Sequence, residues 1–273
     1  MNEFAKRRTW GPTPNYPLVE AYEPPSKKFV AIAGPCSVEN PEMIHNLAAQ
    51  VAFAGATHLR GGVFRAGTYP GKEFGYRPES LLNSFYTAAQ LNGLENIIEV
   101  LDYDEHALDM VNKYCTAFQV GARQMQNYTL LRILGAYRKP VFLKRNPGAT
   151  LDEWLGAAEH LLKNGVKEIY LIERGSSSFV THVRWDLSIS MIPAIAALSK
   201  IPVIIDGSHG TGRRDLVEPM ILAGVAAGAA GLLCEVHSSP ANSLSDPDQA
   251  VTPEKFNSIM VKAKQIKEVI KWS

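Results

Sequence analysis

The sequence has few cysteines, little net charge and no long apolar segment. Its three cysteines, Cys36, Cys115 and Cys234, are an odd number in 273 residues, which argues against a disulfide framework and favours reduced thiols. A net charge of +1 removes the electrostatic case for nucleic-acid binding and favours a small acidic ligand. The most apolar stretch, residues 220–234, is rich in glycine and alanine and stops at Glu235, so we expect no membrane span.

The amino-terminal residues also lack an apolar segment after their basic residues, so we expect a cytoplasmic protein. A hydrophobic content of 46% is enough for one well-buried core, and we expect a single catalytic domain over residues 29–273. Residues 1–28 carry prolines at positions 12, 14, 17, 24 and 25. Because proline lacks an amide donor and disfavours helix before it, this segment is predicted to be an irregular N-terminal arm.

Beyond the arm, apolar and β-branched runs recur about every 30 residues, which is typical of parallel strands that are each followed by a helix. Eight such runs begin at Phe29, His58, Asn96, Ala117, Pro140, Glu168, Pro202 and Gly231. Helices are predicted from Pro41, with Asn40 as the N-cap, and from Leu151. Gly55 and Gly165 are predicted to end these helices.

Eight alternating strands and helices predict an α/β protein built as one (β/α)8 barrel, the TIM-barrel architecture. A doubly wound open sheet is the competitor, but it would normally carry a glycine fingerprint after its first strand, and residues 34–37 read GPCS. Active sites of such barrels lie at the C-terminal ends of the strands. The polar residues predicted at this rim are Cys36, Arg60, Arg65, Arg123, Lys144, Arg174, His209 and Glu235.

Four residues near this rim are candidate metal ligands: Cys36, His209, Glu235 and Asp246. A thiolate, an imidazole and two carboxylates suit manganese, iron, cobalt or zinc better than magnesium or calcium. Each residue taken singly also has a structural interpretation. A buried cysteine is commonly structural, Asp246 before Pro247 can start a turn, and His209 can be a hydrogen-bonded core group.

A group of cations is predicted at the same rim, formed by Arg60, Arg123, Lys144 and Arg174, with Arg65 and Arg145 close by. Cations gathered in a confined mouth repel one another, so we expect a phosphate or carboxylate ligand there. The alternative is pairing with Glu99, Glu173 or Asp206. That alternative accounts for one cation more readily than for four.

Seven motifs occur in one order along the chain: AGPCS, LRGG, QVGARQMQN, KPVFLKR, IERG, DGSHGTGRRDLV and EVH. Together they resemble the 3-deoxy-7-phosphoheptulonate (DAHP) synthases, in the class that is also similar to the 3-deoxy-8-phosphooctulonate (KDO8P) synthases. The resemblance runs from about Phe29 to Val251. It implies a homodimeric or homotetrameric transferase that condenses phosphoenolpyruvate with an aldose phosphate, first of all erythrose 4-phosphate. The products are inorganic phosphate and a 3-deoxy-2-keto sugar acid, as in the shikimate pathway to aromatic amino acids.

The resemblance also implies residue roles. Cys36, His209, Glu235 and Asp246 would hold the divalent metal, and Arg60, Arg123, Lys144 and Arg174 would bind phosphoenolpyruvate. Lys144 is the candidate for proton transfer, and Asp206 is expected to orient substrate or a ligand. His237 is a candidate substrate contact, proton relay or support for the metal site, and a purely structural role is equally open.

The chain departs from the resembled enzymes in the loop after the second strand. They read KPRTS or KPRTT there, or KANRSS in the octulonate class, whereas residues 65–69 read RAGTY. Serines 176–178 also replace a usual IRT segment. Arg65 and Thr68 are expected to contact substrate, with Lys72 or Arg77 as compensating cations. Two alternatives follow: a different aldehyde acceptor, such as arabinose 5-phosphate or a specialised sugar, or a non-catalytic barrel that binds metal and phosphoenolpyruvate.

Overall fold

A computed structural model describes residues 15–64, 78–101 and 104–270. Its eight strands form a closed parallel barrel in chain order, so the predicted (β/α)8 barrel is confirmed. The strands are Val30–Gly34 (β1), His58–Arg60 (β2), Glu95–Val100 (β3), Ala117–Val120 (β4), Val141–Lys144 (β5), Ile169–Glu173 (β6), Val203–Asp206 (β7) and Gly231–Glu235 (β8). Each of the predicted runs overlaps one of these strands.

Helices cover the outside of the barrel. The α-helices described are Pro17–Glu20 (α1), Pro41–Phe53 (α2), Glu79–Leu91 (α3), Glu105–Tyr114 (α4), Tyr128–Tyr137 (α5), Leu151–Lys163 (α6), Met191–Ala196 (α7), Gly207–Thr211 (α8), Arg214–Ala226 (α9) and Pro253–Val269 (α10). Short 3-10 helices occupy Ala122–Gln124 and Pro240–Asn242. Within the described ranges, none of the helices has the length and apolar character needed to cross a bilayer.

The helix boundaries follow the predicted capping signals. The Asn40 side chain accepts a hydrogen bond from the Met43 amide at 2.9 Å and starts α2. A capping box between Thr150 and Glu153 starts α6. Gly55 and Gly165 lie just beyond the ends of these helices with φ of 92° and 108°, a left-handed conformation that glycine adopts without strain.

The barrel closes between β1 and β8, whose pairing runs from Val30 opposite Gly231 to Gly34 opposite Glu235. A side chain at Gly34 would place its Cβ 1.9 Å from the carbonyl oxygen of Arg60 on β2. Only glycine therefore allows β1 to pass this close to β2 before the chain turns into Pro35 and Cys36.

The segment predicted to be an irregular arm contains one helical turn, α1. Proline is compatible with this turn because Pro17 stands at its first position, where the missing amide would have no helical partner. Tyr16 donates its hydroxyl to the Asp152 carbonyl at 2.7 Å, and the Ile169 amide donates to the Tyr22 hydroxyl at 3.1 Å. The described part of the arm therefore packs along α6 and β6. The domain boundary at residue 28 stays a prediction.

Two apolar clusters hold the barrel. The larger lies between the strands and the helices and includes the fully buried Trp154, Phe85 and Phe118. The smaller fills the barrel interior with Val30, Ile32, Ile97, Ala117, Phe142, Tyr170, Ile172, Ile204 and Leu233. Because both faces of every strand are buried, the strands read as continuous apolar runs rather than alternating ones.

Candidate active site

Strand alternation carries polar side chains into the C-terminal mouth of the barrel. Since side chains alternate between the two faces of a strand, the residue two positions after an interior residue also points inward. The interior residues and their polar successors are His58 and Arg60, Phe142 and Lys144, Ile172 and Arg174, Ile204 and Asp206, and Leu233 and Glu235. All five successors are buried at the same end of the barrel.

A cavity of about 450 Å³ opens at this end. The predicted site residues that line it are Cys36, Arg60, Arg123, Lys144, Arg174, His209 and Asp246. The structure therefore brings three of the candidate metal ligands and the candidate anion-binding cations to one cavity.

The four candidate metal ligands lie together. The ligand atoms of Cys36, Glu235 and Asp246 are all within 4.8 Å of one another. His209 adds its Nε2 at 3.2 Å from Glu235 Oε1. The Cys36 thiol also contacts Asp246 Oδ2 at 3.1 Å. These side chains come from four separate segments: the turn after β1, α8, the end of β8 and the loop after β8.

Asp206 orients the His209 ring. It caps α8, with Oδ1 accepting the His209 amide at 3.0 Å, while Oδ2 lies 2.8 Å from His209 Nδ1. This leaves Nε2 facing Glu235. Burial alone would lower the pKa of His209, but the Asp206 and Glu235 carboxylates raise it. A carboxylate on one ring nitrogen and the candidate site on the other is the arrangement that fixes the tautomer of metal-binding histidines.

Lys144 lies beside this pair. Its Nζ is 3.2 Å from Asp206 Oδ2 and 3.4 Å from His209 Nδ1, and the residue is 5% exposed. Burial would raise the pKa of Asp206, but His209 and Lys144 hold it well below its usual range. Lys144 therefore faces the cavity while its charge is balanced by a buried carboxylate.

Glu235 is held through both of its oxygens. Arg60 Nη1 donates to Oε1 at 2.7 Å and also to the Pro35 carbonyl at 2.8 Å. The Gln249 amide donates to Oε2 at 2.7 Å. Burial would raise the pKa of Glu235, but His209 and Arg60 lower it. Glu235 therefore stays an anion in a fixed orientation.

Arg174 has the character of an anion-binding group. Its guanidinium lies over the Trp185 ring, 5.1 Å from the ring centroid. Its buried Nη1 makes no hydrogen bond to any residue that the structure describes. Burial, together with Arg184 and Arg123, holds the pKa of Arg174 below its ordinary value. An anion in the cavity would satisfy this donor and relieve the repulsion.

Arg145 forms an internal ion pair, which was the alternative to binding an anionic ligand. Its Nε and Nη2 donate to the two oxygens of Glu173 at 2.6 and 3.0 Å, and both side chains are buried. Arg145 follows Lys144 directly and therefore points to the opposite face of the strand. It ties β5 to β6 and is not among the residues lining the mouth.

His237 is turned toward the loop after β8. Its Nε2 lies 3.3 Å from Glu39 Oε1, and its Nδ1 accepts the Ser239 amide at 3.0 Å. Strand alternation predicted that it would share the face of Glu235. However, β8 ends at Glu235 and the chain then pairs with Val251 instead of continuing the barrel. This placement supports the structural interpretation of His237 over direct substrate contact.

Two predicted substrate contacts, Arg65 and Thr68, lie outside the described residues, as do Lys72 and Arg77. Arg184 and Trp185 also line the cavity, and no sequence pattern had marked them as site residues. They stand in the long loop between β6 and α7, where no strand end marks a functional position. Ser177, from the divergent serine segment, also lines the cavity.

Comparisons with known proteins agree with this geometry. The sequence profile of the DAHP synthetase I family matches residues 24–271. A phospho-2-dehydro-3-deoxyheptonate aldolase of Thermotoga maritima is 38% identical over 242 residues, which are 89% of this chain and 71% of that protein. A 2-dehydro-3-deoxyphosphooctonate aldolase of Coxiella burnetii is 24% identical over 257 residues, 88% of this chain and 90% of that protein.

Solved structures show the same similarity. The crystal structure of the Thermotoga maritima DAHP synthase superposes with a TM-score of 0.84 at 37% identity, covering 89% of this chain and 70% of that one. A truncated form of the Thermotoga 3-deoxy-D-arabino-heptulosonate 7-phosphate synthase gives a TM-score of 0.81 at 37% identity, covering 89% of this chain and 88% of that one.

Proposed function

The chain belongs to the DAHP synthetase I family, and on that premise we propose that it condenses phosphoenolpyruvate with an aldose phosphate. Erythrose 4-phosphate is the acceptor favoured by the similarity to the Thermotoga phospho-2-dehydro-3-deoxyheptonate aldolase. The reaction would open the route to the aromatic amino acids. The observation that carries this proposal is one cavity in which three candidate ligands, Cys36, His209 and Asp246, lie beside buried cations, with Glu235 close to all three.

The four ligand candidates fit a divalent metal. The ligand atoms of Cys36, Glu235 and Asp246 are close enough to share one ion, and His209 Nε2 lies 3.2 Å from Glu235 Oε1. A mixed thiolate, imidazole and carboxylate set suits manganese, iron, cobalt or zinc. When bound, such a metal polarises the aldehyde oxygen of the acceptor as a Lewis acid.

The cations support phosphoenolpyruvate binding. Arg174 offers a buried donor, and Arg123 and Lys144 face the same cavity. A guanidinium recognises phosphate or carboxylate through two parallel hydrogen bonds, which are stronger away from water. Arg60 contributes to the same wall while it holds Glu235. Phosphoenolpyruvate carries both a phosphate and a carboxylate. It therefore matches a cluster of several cations better than a ligand with one carboxylate would.

Lys144 is placed to move a proton. In the reaction a carbon–carbon bond forms between the methylene carbon of phosphoenolpyruvate and the aldehyde carbon. Water adds at the carbon that carries the phosphate, and the bond from that carbon to the phosphate oxygen breaks. The new alkoxide needs a proton and the added water must lose one. Lys144 lines the cavity, and its positive charge is paired with the Asp206 carboxylate. It can therefore donate the proton to the alkoxide or accept the proton from the water.

The test is phosphate release from phosphoenolpyruvate by metal-loaded protein, with Cys36→Ala as the blank. We expect release with erythrose 4-phosphate and none after a chelator has removed the metal. Phosphate release only with arabinose 5-phosphate or an unphosphorylated aldose would show that the chain carries out the same reaction on a different acceptor. If protein with bound metal is silent on every aldehyde, the proposed activity is wrong.

We also propose a cytoplasmic homodimer or homotetramer. Large apolar side chains stand on the surface of the described chain, among them Phe53 at 92%, Leu91 at 73% and Phe179 at 105% exposure. The resemblance to dimeric and tetrameric synthases carries this proposal, and exposed apolar side chains are where contacts between copies would form. Light scattering on the purified chain measures the mass, and a monomer at micromolar concentration would contradict the proposal.

A further inference from the structure

The loop after β8 places its candidate ligand farther from a strand end than any of the other three candidates lies. It carries Asp246, whose φ of 48° is left-handed. This conformation is uncommon for residues with a side chain and is strained, so surrounding contacts must hold it. Those contacts therefore decide whether Asp246 stands beside Cys36 and Glu235.

Arg214 holds this loop from outside. It is the first residue of α9 and belongs to the GRRD segment of the sequence, for which the proposed chemistry has no use. Its backbone amide donates to the Asp248 carbonyl at 2.8 Å. Its guanidinium donates to the Ala250 carbonyl at 2.7 Å and to the Pro247 carbonyl at 2.5 Å. One residue thus ties down three carbonyls that follow Asp246 in the chain.

Gln249 holds the same loop from inside. The residue is 2% exposed, and its side-chain amide donates to Glu235 Oε2 at 2.7 Å. Its backbone amide donates to the Asp246 carbonyl at 3.3 Å. A single buried residue therefore connects the carboxylate of one ligand candidate to the backbone of another.

We infer that Arg214 and Gln249 are positioning residues that hold Asp246 and Glu235 in the arrangement a metal ion requires. They set the metal affinity of the chain without contacting the ion. This inference rests on the proposed function, because it takes the four ligand candidates as the metal site. Groups that orient metal ligands commonly change metal affinity by about 10-fold to 100-fold when they are removed.

The chain supplies a matched control in Arg213, the residue before Arg214. Both are arginines on the surface at the start of α9. The Arg213 guanidinium pairs with Asp215 at 2.6 and 3.1 Å and donates to the His182 carbonyl at 3.1 Å. It loses the same volume and charge on substitution, but its partners are not in the Asp246 loop.

The experiment measures metal affinity of the full-length protein by calorimetric titration with Mn²⁺, and by the absorption of Co²⁺ bound to the Cys36 thiolate. We expect Arg214→Met and Gln249→Met to bind either ion about 10-fold to 100-fold more weakly, with Arg213→Met equal to wild type. Phosphoenolpyruvate affinity of the metal-free protein stays constant across the series. Wild-type metal affinity in both Arg214→Met and Gln249→Met, or an equal loss in Arg213→Met, overturns the inference.

Two further results distinguish a failure of this inference from a failure of the proposed metal site. If the wild-type protein binds neither ion, the proposed metal site fails, and the inference fails with it. If Arg214→Met does not fold, as judged by thermal unfolding of the metal-free protein, Gln249→Met and Arg214→Lys decide. Lysine keeps the charge but lacks the planar fork, so we expect Arg214→Lys to weaken metal binding while the unfolding midpoint is retained.

Discussion

The two ends of the barrel are built from the same strands but differ in the charged groups that they bury. At the C-terminal mouth, Arg60 and Lys144 are buried as cations beside the carboxylates of Glu235 and Asp206. At the N-terminal end a cavity of about 520 Å³ is lined mainly by aromatic and neutral groups, and its charged side chains, Lys28, Glu95 and Glu168, are exposed or half-buried. There the Phe142 ring stacks on Tyr170 at 4.5 Å and meets the His58 ring edge-on at 5.5 Å.

Burial acts on both ends, but among the described residues the buried charged side chains lie at the mouth. At the N-terminal end it lowers the pKa of His58 to about 4 and raises the pKa of Tyr170, so both groups are neutral at neutral pH. At the mouth, ion pairs oppose the same penalty. Buried ion pairs contribute little net stability, and well-packed apolar residues often do better. The mouth therefore carries charges for chemistry, whereas the opposite end serves stability.

The largest effect on turnover is expected from Lys144→Arg. Arginine keeps the positive charge beside Asp206, so the fold is retained, but a guanidinium does not give up its proton. Loss of proton transfer should lower kcat by about 10² to 10⁴. Phosphate release at saturating substrates measures it, and the exposed Lys113→Arg serves as the control. Unchanged turnover in Lys144→Arg would remove this residue from the chemistry.

A smaller effect, acting through metal affinity, is expected from Asp206→Asn, because this substitution removes the anion that orients His209. The metal affinity should fall by about 10-fold to 100-fold, because the ring loses the partner that fixes its tautomer. Calorimetry with Mn²⁺ reports the affinity directly. Asp215→Asn, an exposed carboxylate paired with Arg213, should leave it unchanged. Equal affinities in the two variants would contradict the orienting role.

Arg174→Lys should affect binding more than turnover. Lysine keeps the charge facing the cavity but loses bidentate recognition of an anion. Loss of one charge-assisted hydrogen bond predicts a KM for phosphoenolpyruvate about tenfold higher. The exposed Arg132→Lys is the matched control. A fall in kcat with KM unchanged would assign Arg174 to the reaction step instead.

Strand ends explain why so much of the site was predictable from sequence. A parallel barrel gathers its strand ends at one rim, so Arg60, Lys144 and Arg174 could be placed together without a structure. Neighbouring residues at a strand end are harder to separate, because a shift of one position exchanges the two faces. The structure turns Lys144 into the mouth and Arg145 outward onto Glu173.

Residues away from the strand ends escaped prediction for a different reason. Arg184, Gln249 and Arg214 take their positions from hydrogen bonds and packing between distant segments, and no sequence periodicity records these. His237 shows the same limit, since alternation beyond the end of β8 no longer describes the chain. Asp246 was found only because its side-chain chemistry matched that of three other ligand candidates.

The smallest effect on turnover is expected at the opposite end, from His58→Gln. In the folded protein His58 has a pKa of about 4, below its ordinary value of 6.5, because burial disfavours the charged ring. Between these values the unfolded chain binds a proton that the folded chain does not, so stability falls as the pH drops from about 6.5 to about 4. At about 1.4 kcal/mol for each pKa unit, the difference between these two values corresponds to roughly 3 kcal/mol.

His58→Gln should remove this part of the pH dependence while kcat at neutral pH stays at the wild-type value. Urea unfolding of both proteins at several pH values between 4 and 7 measures the stability, and phosphate release measures kcat. A parallel slope in both proteins would show that His58 is not the titrating group. A large loss of kcat would break the division between an end that serves stability and an end that serves chemistry. His58 and Arg60 stand two residues apart on β2, so this variant tests the division on one strand.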